Sequence, residues 1–145
     1  VDYVNWTGLG SGRIIWDKCV AEGVSFSRYE TAYCSMINHT ENIPLLWSGM
    51  MQAKSISEPT IQQGNKKLNE KRIHPCHKPI MLYDIILLKF GSGVNSIIDT
   101  HVGGGSSRIS AYRNNISFTG YEINKKYFDD QEKRFNDYSL KLKLF

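Results

Sequence analysis

The residues best placed to do chemistry lie in the last third of the chain. Ser96-Ile97-Ile98-Asp99-Thr100-His101-Val102-Gly103-Gly104-Gly105-Ser106-Ser107 runs from an apolar stretch through a carboxylate into a glycine cluster, and Phe118-Thr119-Gly120-Tyr121-Glu122 ends in a second carboxylate. Glycines let backbone come close to a bound molecule, and a carboxylate after the next strand can accept hydrogen bonds from both hydroxyls of a ribose. The two stretches read as strand, turn, helix and strand around a nucleoside-containing ligand. Glycines also turn a chain for no other purpose. What favours the ligand is the spacing from Gly105 to Glu122, with strand and helix patterns agreeing around both.

The type of nucleotide narrows by elimination. A dinucleotide fingerprint starting at Gly103 needs glycine or alanine at position 108, where helix and strand pack tightly, and this chain has Arg108. A P-loop needs Gly-Lys-Ser/Thr, which is also missing. A nucleoside cofactor without a polyphosphate remains, and S-adenosylmethionine is the obvious one. Gly103 and Gly105 would admit it to the backbone, Asp99 would sit near its cationic end, and Glu122 would take its ribose.

Regular elements must hold these groups. Pro79 opens a helix in which Ile80, Leu82, Tyr83, Ile86, Leu87 and Phe90 recur at helical spacing, with Gly91 just past its end. Val94 to Ile98 is a predicted strand, Ser106 to Asn114 a helix, Ile116 to Tyr121 a strand, and Asn124 to about Ser139 a long helix capped by Asn124. Alternation of this kind implies an α/β fold with parallel strands and a ligand beyond their carboxyl ends, where Asp99 and Glu122 lie. Upstream, Gly12 to Lys18, Tyr29 to Ile37 and Pro44 to Met50 read as strands, the last two separated by a turn at His39-Thr40-Glu41-Asn42. Residues 52–72 are polar and aperiodic, a loop or insertion.

At 145 residues the chain has room for one sizeable core, and 1–145 is expected to be a single domain. Three scattered cysteines do not make a disulfide framework, and no apolar run spans a membrane, so a reducing, cytoplasmic setting is expected. The formal charge of +4 permits a nucleic-acid partner without demanding one. Lys66, Lys67, Lys71 and Arg72 form the densest basic stretch before the glycine turn, either a solvated loop or a phosphate-contacting surface. Trp6, Trp16 and Trp47 could stack on bases, but tryptophans beside strands usually belong to the core.

The second constellation is Arg72-Ile73-His74-Pro75-Cys76-His77-Lys78-Pro79. Two histidines and a cysteine invite a metal, yet Pro75 stiffens the segment and no partner pair with ligand spacing occurs elsewhere, so no metal is expected. A rigid lead-in to the helix explains it more simply. With Asp99-Thr-His-Val-Gly103-Gly-Gly105-Ser-Ser and Gly120-Tyr-Glu122-Ile-Asn, however, it resembles the C-terminal half of the amino-group DNA methyltransferases with permuted motif order, common in phages and bacteria. The resemblance is specific from about His74 to Phe135 and looser over Gly12 to Met50, where Ile14 to Lys18 and Tyr29 to Tyr33 look like later sheet strands.

The resemblance implies a Rossmann-like methyltransferase fold that binds S-adenosylmethionine and acts on double-stranded DNA, at adenine N6 or, second, cytosine N4. It implies a cofactor site at Lys78, Pro79, Asp99, Thr100, His101, Gly103, Gly105, Ser106 and Glu122. Two departures qualify it. His101 stands where many members have phenylalanine, and no Asp/Asn/Ser-Pro-Pro-Tyr/Phe tetrapeptide exists, since the prolines at 44, 59, 75 and 79 are never adjacent. In the family that tetrapeptide grips the flipped-out base and orients its amine. No catalytic residue can be assigned without it. The expectation is a C-terminal methyltransferase portion lacking its N-terminal strands; a non-catalytic remnant serving as a DNA-binding or assembly module is the alternative. A nicotinamide-dependent oxidoreductase, resting on the glycine turn alone, is disfavoured by Arg108.

Overall fold

The computed structural model describes residues 8–143, so Trp6 lies outside the described residues. The described residues are mixed α/β, with three α-helices and two small sheets among them. It divides into two compact units, Val1–Asn69 and Glu70–Phe145.

The first unit is built on a three-stranded sheet of β1 (Arg13–Asp17), β2 (Tyr29–Tyr33) and β3 (Thr40–Pro44). Central β1 pairs antiparallel with β2 and parallel with β3. Its alternation puts Ile14 and Trp16 on the buried face, where they join Val20, Ile43, Leu45, Leu46 and Trp47. Each such apolar side chain contributes about 1.5–3 kcal/mol when fully buried. The Trp16 indole N–H donates to the Leu45 carbonyl at 3.0 Å, so this tryptophan is a core residue with its one polar atom satisfied. Trp47 is buried as well.

Two upstream strand boundaries differ from expectation. The strand from Tyr29 ends at Tyr33, and the expected turn at His39 to Asn42 instead supplies most of β3. Pro44 to Met50, expected as a strand, leaves the ladder at Pro44, although Leu45 and Trp47 still donate backbone N–H groups to Asp17 and Lys18. The reason lies in position: β3 is an edge strand whose Thr40 and Asn42 lie on the exposed face opposite Ile43, while the apolar run after it is buried consecutively and does not alternate. Residues 52–63 fold back through the isolated bridges Trp47↔Gln52 and Ala53↔Gln62, and a short 3₁₀ turn, Lys66–Leu68, follows. Isolated bridges need no repeating pattern, which is why this segment looks aperiodic in sequence.

The second unit contains α1 (Ile80–Phe90), β4 (Ser96–Asp99), α2 (Ser106–Arg113), β5 (Ser117–Gly120) and α3 (Lys125–Lys143). Strands β4 and β5 are parallel, as the strand-helix-strand order requires, but they form a separate two-stranded sheet. Pro79 is the residue before α1, with extended backbone, and Gly91 ends it. Asn124 caps α3 by accepting from the N–H groups of Lys126 and Tyr127 at 3.0 and 3.3 Å. The buried face of α1 carries Ile80, Leu82, Ile85 and the charged Asp84, while Leu88 is 76% exposed. Asp84 sets that face because it accepts from Ser110 Oγ at 2.6 Å and Arg113 Nη1 at 2.8 Å, clasping α1 to α2. Among the described residues no helix is long and apolar enough to cross a membrane.

Ser110 is fully buried, so Ser110→Ala should remove a charge-assisted bond without a large void. The expected loss is about 1.5–3 kcal/mol of stability, read as a lower urea midpoint at unchanged m-value.

Candidate functional site

The glycine turn links the end of β4 to the start of α2. Gly103 and Gly105 have φ of +53° and +74°, the left-handed region that costs other residues about 1–2 kcal/mol. Gly104 is required for a different reason: a Cβ there would overlap the buried His77 ring, reaching within 2.6 Å of its Cε1. A Cβ on Gly103 would touch His74, at 3.4 Å from its Nδ1. Internal packing therefore accounts for Gly103 and Gly104, with His74 and His77 as the surface they pack on. The rigid lead-in and the glycine turn are one structure.

Four of the nine expected cofactor residues, Lys78, His101, Gly103 and Ser106, line one cavity of about 180 Å³, together with His74, Cys76, Tyr83, Val102 and Gly104. Pro79, Asp99, Thr100, Gly105 and Glu122 are not in its wall. Asp99 instead fastens the turn: its two carboxylate oxygens accept from the His101 N–H at 2.9 Å and the Ser107 hydroxyl at 2.5 Å. Thr100 Oγ1 and His101 Nδ1 share a hydrogen bond of 2.9 Å. Gly105 is the residue before α2 and faces Gln131 of α3.

Glu122 lies just beyond β5 and ties the two loops. One oxygen accepts the Gly103 N–H and the other the Asn124 N–H, each at 2.9 Å. The Asn124 N–H, then that of Gly103 and the nearby His74 and His101 rings, outweigh partial burial and hold this carboxyl below its ordinary range. Each oxygen keeps a second lone pair for a further donor. Next to it Ile123 is 100% exposed.

Several residues that organise the site carry no signal in their local sequence. Arg134 of α3 donates to Glu70 Oε2 at 2.8 Å, to Ser106 Oγ at 2.9 Å and to the Gly104 carbonyl. Glu70 also accepts the Ile80 N–H at 3.0 Å, capping α1 in place of the side chain that Pro79 lacks. Burial pulls the Arg134 pKa down, opposed by Glu70. Arg108 docks α2 on α3, bonding Gln131 and Glu132 and stacking over Phe135 at 3.9 Å. Among the described residues no group of three or more His, Cys, Asp and Glu side chains is arranged to hold a metal ion. Lys71 and Arg72 belong to the second unit, Lys66 and Lys67 to the first.

His74 accepts the Cys76 N–H on Nδ1 at 3.1 Å, so its neutral form carries the proton on Nε2. Burial, then the charges of His77 and Lys78, lower its pKa below the ordinary 6.5 against the opposing pull of Glu122. The unfolded chain therefore takes up a proton at His74 first as pH falls. The associated stability is complete above about pH 6.5 and is lost on acidification through the folded value. Glu122 behaves alike over a lower window: its contribution is complete above about pH 4.5 and lost as pH falls through its depressed value. Melting temperatures at pH 7, 5.5 and 4 should decline in two stages, with His74→Asn flattening the first and Glu122→Gln the second. Gly104→Ala should lower stability by about 1–3 kcal/mol through overpacking on His77, measured by urea unfolding.

No protein-family model matches this chain, and no curated protein matches its sequence.

Proposed function

We propose that the second unit holds S-adenosylmethionine and serves methylation of an exocyclic amine in DNA, adenine N6 in preference to cytosine N4. The observation that carries this reading is the meeting of Lys78, His101, Gly103 and Ser106 around one cavity, with Glu122 bonded to the same turn. These residues come from two separate sequence motifs that the fold brings to one cavity. The resemblance of His74 to Phe135 to amino-group DNA methyltransferases, which implies the same residues, supports it.

In this reading the ligand divides according to size. About 180 Å³ is below the roughly 300–1,000 Å³ of pockets that enclose a whole drug-sized molecule, so the cavity suits the amino-acid portion, with the nucleoside outside it. Lys78 offers an ammonium to the ligand carboxylate. Glu122, anionic and with lone pairs to spare, accepts from the ribose hydroxyls, and the exposed side chain of Ile123 gives the adenine an apolar face. Asp99 acts one step back, by fixing the turn that carries Gly103. When bound, the cofactor supplies an electrophilic methyl group on a sulfonium sulfur. What this chain's own residues do is hold and orient it; no base-gripping tetrapeptide is present to assign a catalytic role.

That last fact favours a second reading, a cofactor fold retained as a non-catalytic DNA-binding or assembly module. Two measurements separate the possibilities. Calorimetric titration with S-adenosylhomocysteine should give binding that weakens about tenfold or more in Glu122→Gln, where a charge-assisted acceptor is lost. No binding by the unmodified chain would exclude the cofactor reading. Transfer of a labelled methyl group to unmodified DNA by the chain alone would exclude the non-catalytic one.

A further inference from the structure

We infer that a second, larger groove in the same unit binds the sugar-phosphate backbone of a nucleic-acid strand. The groove encloses about 570 Å³ and is lined by Lys71, Arg72, His74, Lys126, Tyr127 and Asp130, among others. Lys71 and Arg72 precede α1 and Lys126 lies in the first turn of α3, so the cations come from two elements.

Charge pairing distinguishes this surface from the rest of α3. Lys125 and Lys133 are each matched four residues on, by Asp129 and Asp137. Within the groove Lys126 pairs with Asp130, but among the described residues neither Lys71 nor Arg72 meets a carboxylate. Arg72 is held on its wall by a bond from Nη2 to the Pro75 carbonyl. Three cations against one carboxylate leave an excess of positive charge facing an open groove, a combination that attracts a polyanion.

The aromatic lining selects among polyanions. Tyr127 packs edge-on against His74, with ring centroids 4.4 Å apart, and carries the Lys126 ammonium over its ring at 5.4 Å. Cations with an aromatic platform suit a phosphate chain bearing sugars and bases better than an acidic peptide. His74 also lines the smaller cavity, so a strand in the groove passes beside the proposed cofactor site. The choice of a nucleic acid rests in part on the methyltransferase reading; the groove's affinity for anions does not.

Fluorescence anisotropy of a labelled 20-mer duplex and its single strand tests the assignment. In the double variant Lys71→Ala/Arg72→Ala, affinity at 50 mM salt should fall about tenfold or more, and the slope of log K against log salt should shrink by about 1.4–1.8, the value for two lost phosphate contacts. Lys126→Ala should also weaken binding, whereas Lys133→Ala, outside the groove, should not. All four positions are exposed or on helix surfaces, and unchanged urea midpoints will verify that the variants fold. Wild-type affinity and slope in the double variant would overturn the proposal. So would a poly-glutamate peptide that displaces the oligonucleotide with equal potency. Titration with S-adenosylhomocysteine in parallel separates the two claims: groove-dependent oligonucleotide binding without cofactor binding removes the cofactor reading alone, and the reverse result removes the groove alone.

Discussion

The second unit depends on one cation taken largely out of water. Arg134 sits on α3, yet its guanidinium reaches Glu70 ahead of α1, the carbonyl of Gly104 and the hydroxyl of Ser106. Glu70 uses its remaining capacity on the Ile80 N–H at the start of α1. A buried arginine is tolerated only when its charge is paired and its donors are used, and here the groups that meet those demands are the ends of the elements around the cavity. The electrostatic need of one side chain thereby fixes where the lead-in, the glycine turn and α3 meet.

Around that centre, acidic side chains act as ties. Asp99 closes its own turn, Glu122 joins two loops, and Asp84 clasps two helices. Each accepts from two donors, which keeps its charge satisfied and its loop in one geometry. Both carboxylates accept one bond on each oxygen, Asp99 within its own turn and Glu122 between two loops, beside the exposed Ile123.

Local chemistry made much of the last third legible. Asn124 announced a helix start, Gly91 a helix end, and the strand-helix-strand alternation a parallel pair, because caps and periodicity act over a few residues. The glycine turn was equally plain, although its reason was not: Gly104 is glycine because the His77 ring occupies the space of a side chain. The first unit was less readable. His39 to Asn42 looks like a turn, yet Thr40 to Pro44 is an edge strand, its place set by pairing with β1 and not by its own composition. On α1 the apolar spacing foretold a helix but not its inner face, which the buried carboxylate of Asp84 decided.

The sequence by itself determined the order of elements from Pro79 onward, the two motifs and the residue types able to meet a nucleoside cofactor. It also carries the absence of a base-gripping tetrapeptide, which needs no structure to read. Tertiary structure alone decided that the His74 to Lys78 segment is the floor of the glycine turn, that Lys71, Arg72 and Lys126 share a groove, and that Arg134 finds Glu70 across 64 residues of chain. The physical reason is range. Caps, turns and periodicity arise from bonds between near neighbours and leave their mark in short windows, whereas a buried ion pair or a packed imidazole is selected by whatever the fold brings opposite it.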